Sequence, residues 1–394
     1  MGMQVVFGEG VDRIGGEPVV SRMARKAPLR HLDPTLLIIT LILAAYGALM
    51  VYSATAGKQE SAGLDPSAFL NRQLFYITIG FALLLMVSFF DYRHIRSLTP
   101  VIYGGSVLTL ILVLTGMGSV RNGTRGWFDL GVYDLQPAEI AKVVVILAVA
   151  AFLAERKADL SGIDVTLVVA IAGLPSLLIF VQPDLGTMIV FVFVTLALLV
   201  VGGAKLRHFL ALFGLGLVGL VVVFQANLIQ DYQVERLTSF LDATPDVQSE
   251  GYNQAQSLIA IGSGGVRGKG FRSPNTQTSL DFVPEQHTDF IFTAVGEQLG
   301  FLGSAALLLM FALLIWRALR IATLSRDLFG TLVACGIAAM WAFQVFLNMG
   351  MTMGIMPVTG VPLPFMSFGG SAMLANFVAV GLLLNIHMRR FLRA

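Results

Sequence analysis

The stretch from Pro34 to Ser53 reads PTLLIITLILAAYGALMVYS and contains no charged side chain. A helix of about 20 apolar residues matches the hydrocarbon thickness of a bilayer, so this stretch predicts a membrane span. The predicted fold is all-α: a polytopic membrane protein of about ten transmembrane helices, with a large extracytoplasmic loop at 229–289 between helices 7 and 8. The nine further apolar stretches are 73–90, 100–115, 137–154, 165–181, 187–201, 209–228, 290–316, 328–349 and 372–387.

The composition of the chain supports the membrane class. Hydrophobic residues make up 56% and charged residues 13%, with 28 Phe and 16 Met, and the mean hydropathy is +0.79. A soluble globule of this composition would expose far too much apolar surface. The single Cys335 excludes an intramolecular disulfide, and no tandem Cys and His spacing indicates structural zinc.

The distribution of positive charge predicts the orientation in the membrane. Of the 26 Lys and Arg residues, 17 fall in segments that an even number of helices places on the same side as both termini. By the positive-inside rule both termini are predicted to be cytoplasmic. We expect 1–33 to be a flexible cytoplasmic tail without a signal-peptide cleavage pattern, 34–388 the ten-helix domain and 389–394 a second cytoplasmic tail.

The run VPEQHTDF at 283–290 concentrates Glu285, His287 and Asp289 in a chain that is poor in charge. It precedes an apolar stretch, so the three side chains are expected at the outer mouth of a membrane helix. This makes the run the leading candidate for a chemical site. For Asp289 the alternative is a helix N-terminal cap.

Three charged residues within or beside the spans also need an explanation, because a charge at the bilayer centre costs about 2.5 to 3.5 kcal/mol on insertion scales. Glu139 and Lys142 are three apart and share a helix face. They form either a structural ion pair or a substrate-facing pair. Asp184, in QPDLGT, lies between two spans, where it either caps a helix or contacts a ligand.

The outer loops carry further candidates. Arg125 and Trp127 lie in a loop expected along the membrane surface, where Trp127 could be a simple anchor and Arg125 could meet a phosphate. Arg236 lies in YQVERLTS, expected to form a short helix. Lys269 lies in the glycine-rich IGSGGVRGKGF, either a flexible loop or a source of amides for a phosphate. Ser367 begins SFGGS, in a proline-containing loop that is either a cavity wall or a rigid connector.

Several motifs occur together in one order: GTRGWFDLG, LQPAEIAK, QPDLGT, GYNQAQSLIAIGSGGVRGKGF, VPEQHTDFIF and NMGMTMGIMPVTGVPLPFMSFGGS. They resemble those of the SEDS family (shape, elongation, division and sporulation), the group of RodA, FtsW and SpoVE, from about Leu36 to Arg390. TQTSLDFVPEQHTDF is more similar to RodA, the elongation enzyme, than to FtsW. Phe368 departs from the usual Tyr, and Asn253 followed by Gln254 departs from a simpler GYQ pattern; neither touches the acidic run.

The resemblance implies a peptidoglycan glycosyltransferase that polymerises lipid II on the outer face of the bacterial cytoplasmic (inner) membrane. Asp289 matches the family's essential aspartate and would act as general base for the GlcNAc 4-hydroxyl. Glu285 and His287 would orient it or relay the proton. The undecaprenyl pyrophosphate leaving group needs cationic stabilisation. The cationic candidates are Arg125, Lys142, Arg236 and Lys269.

The resemblance also implies a partner, a class B penicillin-binding protein that supplies transpeptidation. No certain cofactor is expected. A divalent cation, Mg²⁺ or Mn²⁺, could screen the pyrophosphate, although no ligand cluster demands one. Two other functions fit the same helices: a flippase that moves lipid II across the membrane, and a non-catalytic scaffold that recruits a transpeptidase.

Overall fold

The computed structural model describes residues 31–121, 123–131, 133–156, 159–225, 250–274, 276–278, 282 and 285–390. Most of this part of the chain is helical. The helices are α1 (Pro34–Ser61), α2 (Ala68–Phe89), α3 (Tyr92–Leu114), α4 (Pro137–Leu153), α5 (Gly162–Val181), α6 (Leu185–Val201), α7 (Leu206–Gln225), α8 (Glu250–Gly264), α9 (Ile291–Leu324), α10 (Leu328–Thr352) and α11 (Gly370–Met388). Three short strands, β1 (Ser119–Arg121), β2 (Thr124–Asp129) and β3 (Asp134–Leu135), form one small antiparallel sheet in the order β1-β2-β3.

The predicted all-α, multi-pass class is confirmed, since every predicted apolar stretch overlaps a helix of the described residues. Among the described residues, seven helices are long and apolar enough to cross a membrane: α1, α2, α3, α5, α9, α10 and α11. Helix α6 and the first part of α7 are apolar but shorter. The number of ten crossings therefore stays a prediction. The two predicted tails fall almost entirely on 1–30 and 391–394, outside the described residues.

Helices α1 and α9 run antiparallel and define the two ends of the bundle. At one end the Ser53 hydroxyl donates to Gln298 Oε1 at 2.7 Å. At the other, Arg317 forms an ion pair with Asp33. We call these the loop end and the terminal end.

Contacts between α2 and the region of α11 also lie at these two ends. Gln73 Nε2 donates to the Ser367 carbonyl at 3.2 Å at the loop end. At the terminal end Asn385 Nδ2 donates to the Val87 carbonyl at 2.6 Å. Because these amide side chains satisfy backbone carbonyls, they fix the relative height of the two helices.

A re-entrant segment, 354–369, follows α10 and turns back into the bundle at the loop end. The Phe365 ring contacts the buried Trp341 ring at a centroid distance of 5.8 Å. Trp341 lies 11 residues before the end of α10, about 16 Å along the helix. Irregular backbone at such depth is tolerated where protein surrounds it, so the proline-containing loop is a packed element of the interior.

The described part of the predicted outer loop 229–289 contains helix α8. Gln254 Nε2 donates to the Met351 carbonyl at 3.0 Å and to the Met356 carbonyl at 2.9 Å. The Ser257 hydroxyl donates to the Thr352 carbonyl at 2.9 Å. These bonds cap the carbonyl end of α10, so α8 is bound to the bundle rather than free in solution.

Helix α9 is broken at Gly300, where a single span was predicted. Gly300 has φ 65° and ψ −159°, a conformation that glycine adopts at little cost. A Cβ there would lie 2.8 Å from the Gly265 carbonyl oxygen. That carbonyl accepts from the Phe301 amide at 2.9 Å. The break thus lets the segment after α8 hydrogen-bond to the interrupted helix.

Candidate functional site

Residues 285–290 of the acidic run fold into one tight turn that leads into α9. The Glu285 carbonyl accepts the amides of Thr288 at 3.2 Å, Asp289 at 3.1 Å and Phe290 at 3.3 Å. Glu285 itself has φ 50°, which closes the turn. The three residues predicted as the chemical site are therefore brought together at the loop end.

Asp289 is held between the turn, α10 and the re-entrant segment. The fully buried Asn348 donates through Nδ2 to the Asp289 carbonyl and to the Val361 carbonyl, each at 2.8 Å. A Cβ on Gly360 would lie 3.6 Å from Asp289 Oδ2, so the carboxylate rests against the re-entrant backbone. In the described chain the N-cap of α9 is Phe290, with no side-chain cap. The assigned N-cap residue is thus Phe290, and the choice between base and helix cap for Asp289 stays a prediction.

His287 and Glu285 contact different neighbours. The His287 ring packs edge-on against Phe69 at 5.0 Å and lies 5.6 Å from the Phe368 ring. The Phe368 amide donates to the His287 carbonyl at 2.8 Å. The exposed Glu285 carboxylate accepts from the Thr288 hydroxyl at 2.9 Å. The predicted orienting or relay roles of both residues stay predictions.

Glu139 and Lys142 pair in the first turn of α4, as their spacing predicts. Lys142 Nζ lies 2.7 Å from Glu139 Oε1, and both side chains are almost completely buried. Glu139 Oε2 is buried without a hydrogen-bond partner among the described residues. Because both side chains are enclosed, they form an ion pair inside the bundle, and a substrate-facing role for the pair stays a prediction.

Asp184 is the N-cap of α6, and its carboxylate accepts the Thr187 amide at 2.9 Å. Burial raises the pKa of Asp184, while the hydrogen bonds from Thr187 oppose that rise. The first turn of α6 requires a glycine at position 186, because a Cβ on Gly186 would overlap the Thr359 carbonyl. The re-entrant segment therefore contacts α6 on one side and Asp289 on the other.

Ser367 makes a loop-closing contact, and its substrate contact stays a prediction. Its buried hydroxyl accepts the Leu363 amide at 2.8 Å, which fixes the re-entrant turn. The neighbouring Ser371 joins α11 to the small sheet: its hydroxyl accepts the Gln136 amide at 2.8 Å and lies 3.1 Å from the Tyr133 hydroxyl. The sequence did not single out Ser371.

Arg125 and Trp127 both lie on β2, where a surface-lying loop was expected. The Ser119 hydroxyl donates to the Trp127 carbonyl at 3.1 Å, so the hairpin is fixed across its strands. Arg125 is exposed and Trp127 half-buried. A substrate role for either residue stays a prediction. Arg236 and its predicted helix lie outside the described residues.

The glycine-rich segment does not offer its amides to a phosphate. The Gly268 amide donates to Gly264 at 2.8 Å, and the amides of Lys269 and Gly270 donate to Glu297 and Gln298, each at 3.0 Å. Lys269 Nζ pairs with Glu297 Oε1 at 2.9 Å. The phosphate-cradle alternative is therefore wrong for these amides.

Glu297 is the main residue that the sequence reading missed. Its fully buried carboxylate also accepts the Gln277 amide at 2.7 Å, the Thr278 amide at 2.9 Å and the Thr278 hydroxyl at 2.6 Å. It therefore fixes the segment that precedes the acidic run. The sequence did mark Glu297, because a charged residue inside the apolar stretch 290–316 is costly without partners.

A lateral groove of about 730 Å³ opens between α8, α9 and α10. Its apolar wall includes Phe292, Met349 and Met353. Phe292 lies three residues after Asp289 in the chain. The groove wall therefore begins close to the acidic run in sequence, and its apolar lining suits a hydrocarbon chain. Within the described ranges no group of three or more His, Cys, Asp and Glu side chains is arranged to hold a metal ion.

Known proteins share both the sequence and the fold. The cell cycle protein family of FtsW, RodA and SpoVE matches residues 34–391. Stage V sporulation protein E of Bacillus subtilis is 39% identical over 357 residues, 90% of this chain and 96% of the relative. Peptidoglycan glycosyltransferase MrdB of Escherichia coli strain K12 is 37% identical over 368 residues, 91% of this chain and 94% of the relative.

Two solved structures are similar. A chain from a study of the structural coordination of polymerization and crosslinking by a peptidoglycan synthase complex has TM-score 0.77 and 32% identity, covering 92% of this chain and 99% of that one. The Thermus thermophilus rod shape determining protein RodA has TM-score 0.67 and 29% identity, covering 91% and 97%. By sequence over nearly its whole length, this chain belongs to the FtsW, RodA and SpoVE family of cell cycle proteins.

Proposed function

We propose that this chain is a peptidoglycan glycosyltransferase that joins lipid II units into glycan strands during cell elongation. One observation carries the proposal: Asp289, whose carbonyl accepts from Asn348 and whose carboxylate rests against Gly360, is three residues before Phe292, which lines an apolar lateral groove. A polymerase of lipid-linked sugars needs a base and a lipid-binding surface side by side. The relatives named peptidoglycan glycosyltransferases support the same activity.

The proposed chemistry uses Asp289 as general base. The acceptor GlcNAc 4-hydroxyl forms a bond to the donor sugar C1 and gives its proton to the Asp289 carboxylate. The bond from C1 to the pyrophosphate oxygen breaks, and undecaprenyl pyrophosphate leaves with the bonding electrons. Glu285 and His287, in the same turn, are proposed to orient the base or pass its proton to water.

The charge of the leaving group is proposed to be balanced by cations at the loop end. Arg125 is exposed and Lys269 keeps 30% of its side chain accessible. Guanidinium and ammonium groups both bind phosphate oxygens well. Trp127 and Ser367 are proposed to contact the substrate from β2 and the re-entrant segment. The buried Glu139, Lys142 and Asp184 are proposed to support the substrate-binding side chains at the loop end. A Mg²⁺ or Mn²⁺ ion, if used, would bind with the substrate's own phosphates.

The proposed setting is the bacterial cytoplasmic membrane, with both termini cytoplasmic and the loop end extracytoplasmic. The excess of Lys and Arg in the segments at the terminal end supports this orientation. We propose a class B penicillin-binding protein as partner, which is supported by the similarity to a chain of a peptidoglycan synthase complex.

The test is polymerisation of labelled lipid II by the purified protein in detergent, with and without the proposed partner. We expect Asp289→Asn, which keeps the shape but removes the base, to lose at least about 100-fold in rate, the usual scale of general base catalysis. Asp65→Asn is the matched control, because Asp65 is an exposed aspartate in the turn after α1, at the loop end.

The outcomes separate the three candidate functions. Polymerisation by the Asp289→Asn protein at the wild-type rate would contradict the assignment of Asp289 as the base. Absence of polymer from the wild-type protein with its partner, combined with lipid II transfer across vesicle bilayers, would favour a flippase. A scaffold would give neither activity, yet would still bind the transpeptidase.

A further inference from the structure

A second cavity, of about 970 Å³, lies at the terminal end, opposite the candidate site. It is lined by α3, α4, α5 and the turn between α9 and α10. Its lining on α3 runs from Tyr92 to Tyr103, about 16 Å along the helix axis. The cavity therefore extends from the end of the bundle about halfway into a bilayer.

The mouth of this cavity carries three guanidinium groups, those of Arg93, Arg96 and Arg326. Two carboxylates also line it. The carboxylate of Asp327 already accepts two hydrogen bonds within the protein, from the Tyr92 hydroxyl at 2.9 Å and from the Gly330 amide at 2.8 Å.

The second carboxylate, Glu155, is a weak competitor for the arginines. It pairs with Arg96 at 3.4 Å, with its side chain 70% exposed. Such exposed pairs contribute little and exchange readily. The Arg96 guanidinium also sits 5.7 Å above the Phe329 ring, which holds it at the mouth. The arginines are thus positioned for an external anion.

The depth of the cavity is apolar. Its inner wall includes Ala148, Ala151 and Phe152. The Tyr103 hydroxyl is already used, since it donates to the Ile171 carbonyl at 2.8 Å. On the flank of α3 the side chain of Val101 is 73% exposed, as on a lipid-facing surface. A cationic mouth above an apolar interior matches an anionic head with a hydrocarbon chain.

We propose that this cavity binds one anionic phospholipid of the leaflet at the terminal end. The phosphate would be held by Arg93, Arg96 and Arg326, and one acyl chain would lie against Ala148 and Ala151. Arginine clusters suit phosphate because each guanidinium can donate two parallel hydrogen bonds. Basic pockets between membrane helices are a recurring form of lipid headgroup site. The proposal is independent of the glycosyltransferase activity.

The test is native mass spectrometry of the purified full-length protein with phosphatidylglycerol and phosphatidylcholine of identical acyl chains. We expect phosphatidylglycerol to bind in clear excess. Arg93→Gln, Arg96→Gln and Arg326→Gln should each weaken it about fivefold, the usual effect of one basic residue on an anionic headgroup. Arg320→Gln is the matched control, because Arg320 is exposed near the same end of α9 but does not line the cavity.

A second variant tests the apolar half without changing charge. Ala151→Leu narrows the cavity and should reduce phosphatidylglycerol binding while the protein elutes as wild type on size exclusion. Equal binding of the two lipids, or an equal loss in Arg320→Gln, would overturn the proposal. So would displacement of the lipid by inorganic phosphate or glycerophosphoglycerol at the lipid's own concentration, since that would identify a site for soluble phosphates.

Discussion

The buried carboxylate of Glu297 joins α9 to the Lys269 side chain and to the backbone of Gln277 and Thr278. Replacing it with Gln removes the charge that Lys269 and two amides share. We expect Glu297→Gln to lower stability by about 2 kcal/mol or more, because hydrogen bonds to a buried charge are lost together. Glu60→Gln, which removes an exposed partner of Arg272, should cost less than about 1 kcal/mol. Thermal unfolding of the purified variants measures both, and equal losses would contradict the central role of Glu297.

Asp184 gives a pH dependence whose sign follows from its burial. Its pKa in the folded protein is raised above the ordinary value of 3.8. Its stabilising contribution is therefore present below that value and is lost as the pH rises through the folded pKa. Asp184→Asn keeps the oxygen that caps α6 but cannot ionise. We expect the Tm of the Asn variant, relative to that of the wild type, to increase as the pH rises above about 4. A constant difference across the range would contradict a raised pKa.

At the same scale, the sequence located side chains better than it assigned their partners. The grouping of Glu285, His287 and Asp289 follows from their closeness in the chain, and the Glu139–Lys142 pair follows from helix geometry. Asn348 was not predictable as the group that holds Asp289, because 59 residues separate the two. Such contacts depend on how α10 returns to the loop end, which no local pattern records.

Among the elements, α9 depends on Gly300. Any other residue there must adopt φ 65°, which costs about 1–2 kcal/mol, and must place a Cβ against the backbone of the segment after α8. We expect Gly300→Ala to lose about 2 kcal/mol or more. Gly104→Ala, in α3 where a Cβ meets nothing within 4 Å, should be neutral or gain up to about 1 kcal/mol. Comparable losses in chemical or thermal unfolding would show that the break is not required.

The re-entrant segment couples α6 to the candidate base. A methyl group at Gly186 would push the Thr359 carbonyl, and Gly360 beside it touches Asp289. We expect Gly186→Ala to lower the polymerisation rate about tenfold or more, since small misplacements of a base are costly. Gly173→Ala in α5, where the Cβ has open space, should keep the rate. A folded Gly186→Ala protein with full activity would separate the segment from catalysis.

Periodicity and hydropathy predicted the long helices but not the elements between them. The order of the small sheet and α8 depends on contacts with the bundle, such as those of Gln254 with the end of α10. The break in α9 was equally hidden, because a glycine inside an apolar run is common in membrane helices. Only the approach of Gly265 explains it.

For the whole molecule, the decisive prediction concerns orientation. In a Cys335→Ser background, Asp65→Cys lies at the loop end and Asp159→Cys in the turn between α4 and α5 at the terminal end. An impermeant maleimide added to intact spheroplasts should label Asp65→Cys, whereas Asp159→Cys should react only after permeabilisation. The physical reason is the excess of Lys and Arg in the segments at the terminal end. The opposite pattern would overturn the proposed sidedness and with it an extracytoplasmic site.

The candidate site draws on almost the entire length of the chain: Phe69 packs on His287, and Ser371 bonds to Tyr133. During synthesis, the first of these residues leaves the ribosome about 300 residues before the last, which at the usual elongation rates takes roughly 15 to 60 seconds. Throughout that interval the growing polypeptide has no complete substrate pocket. A chain released early, before α11, would therefore enter the membrane as an inert product rather than as an unregulated wall-building enzyme.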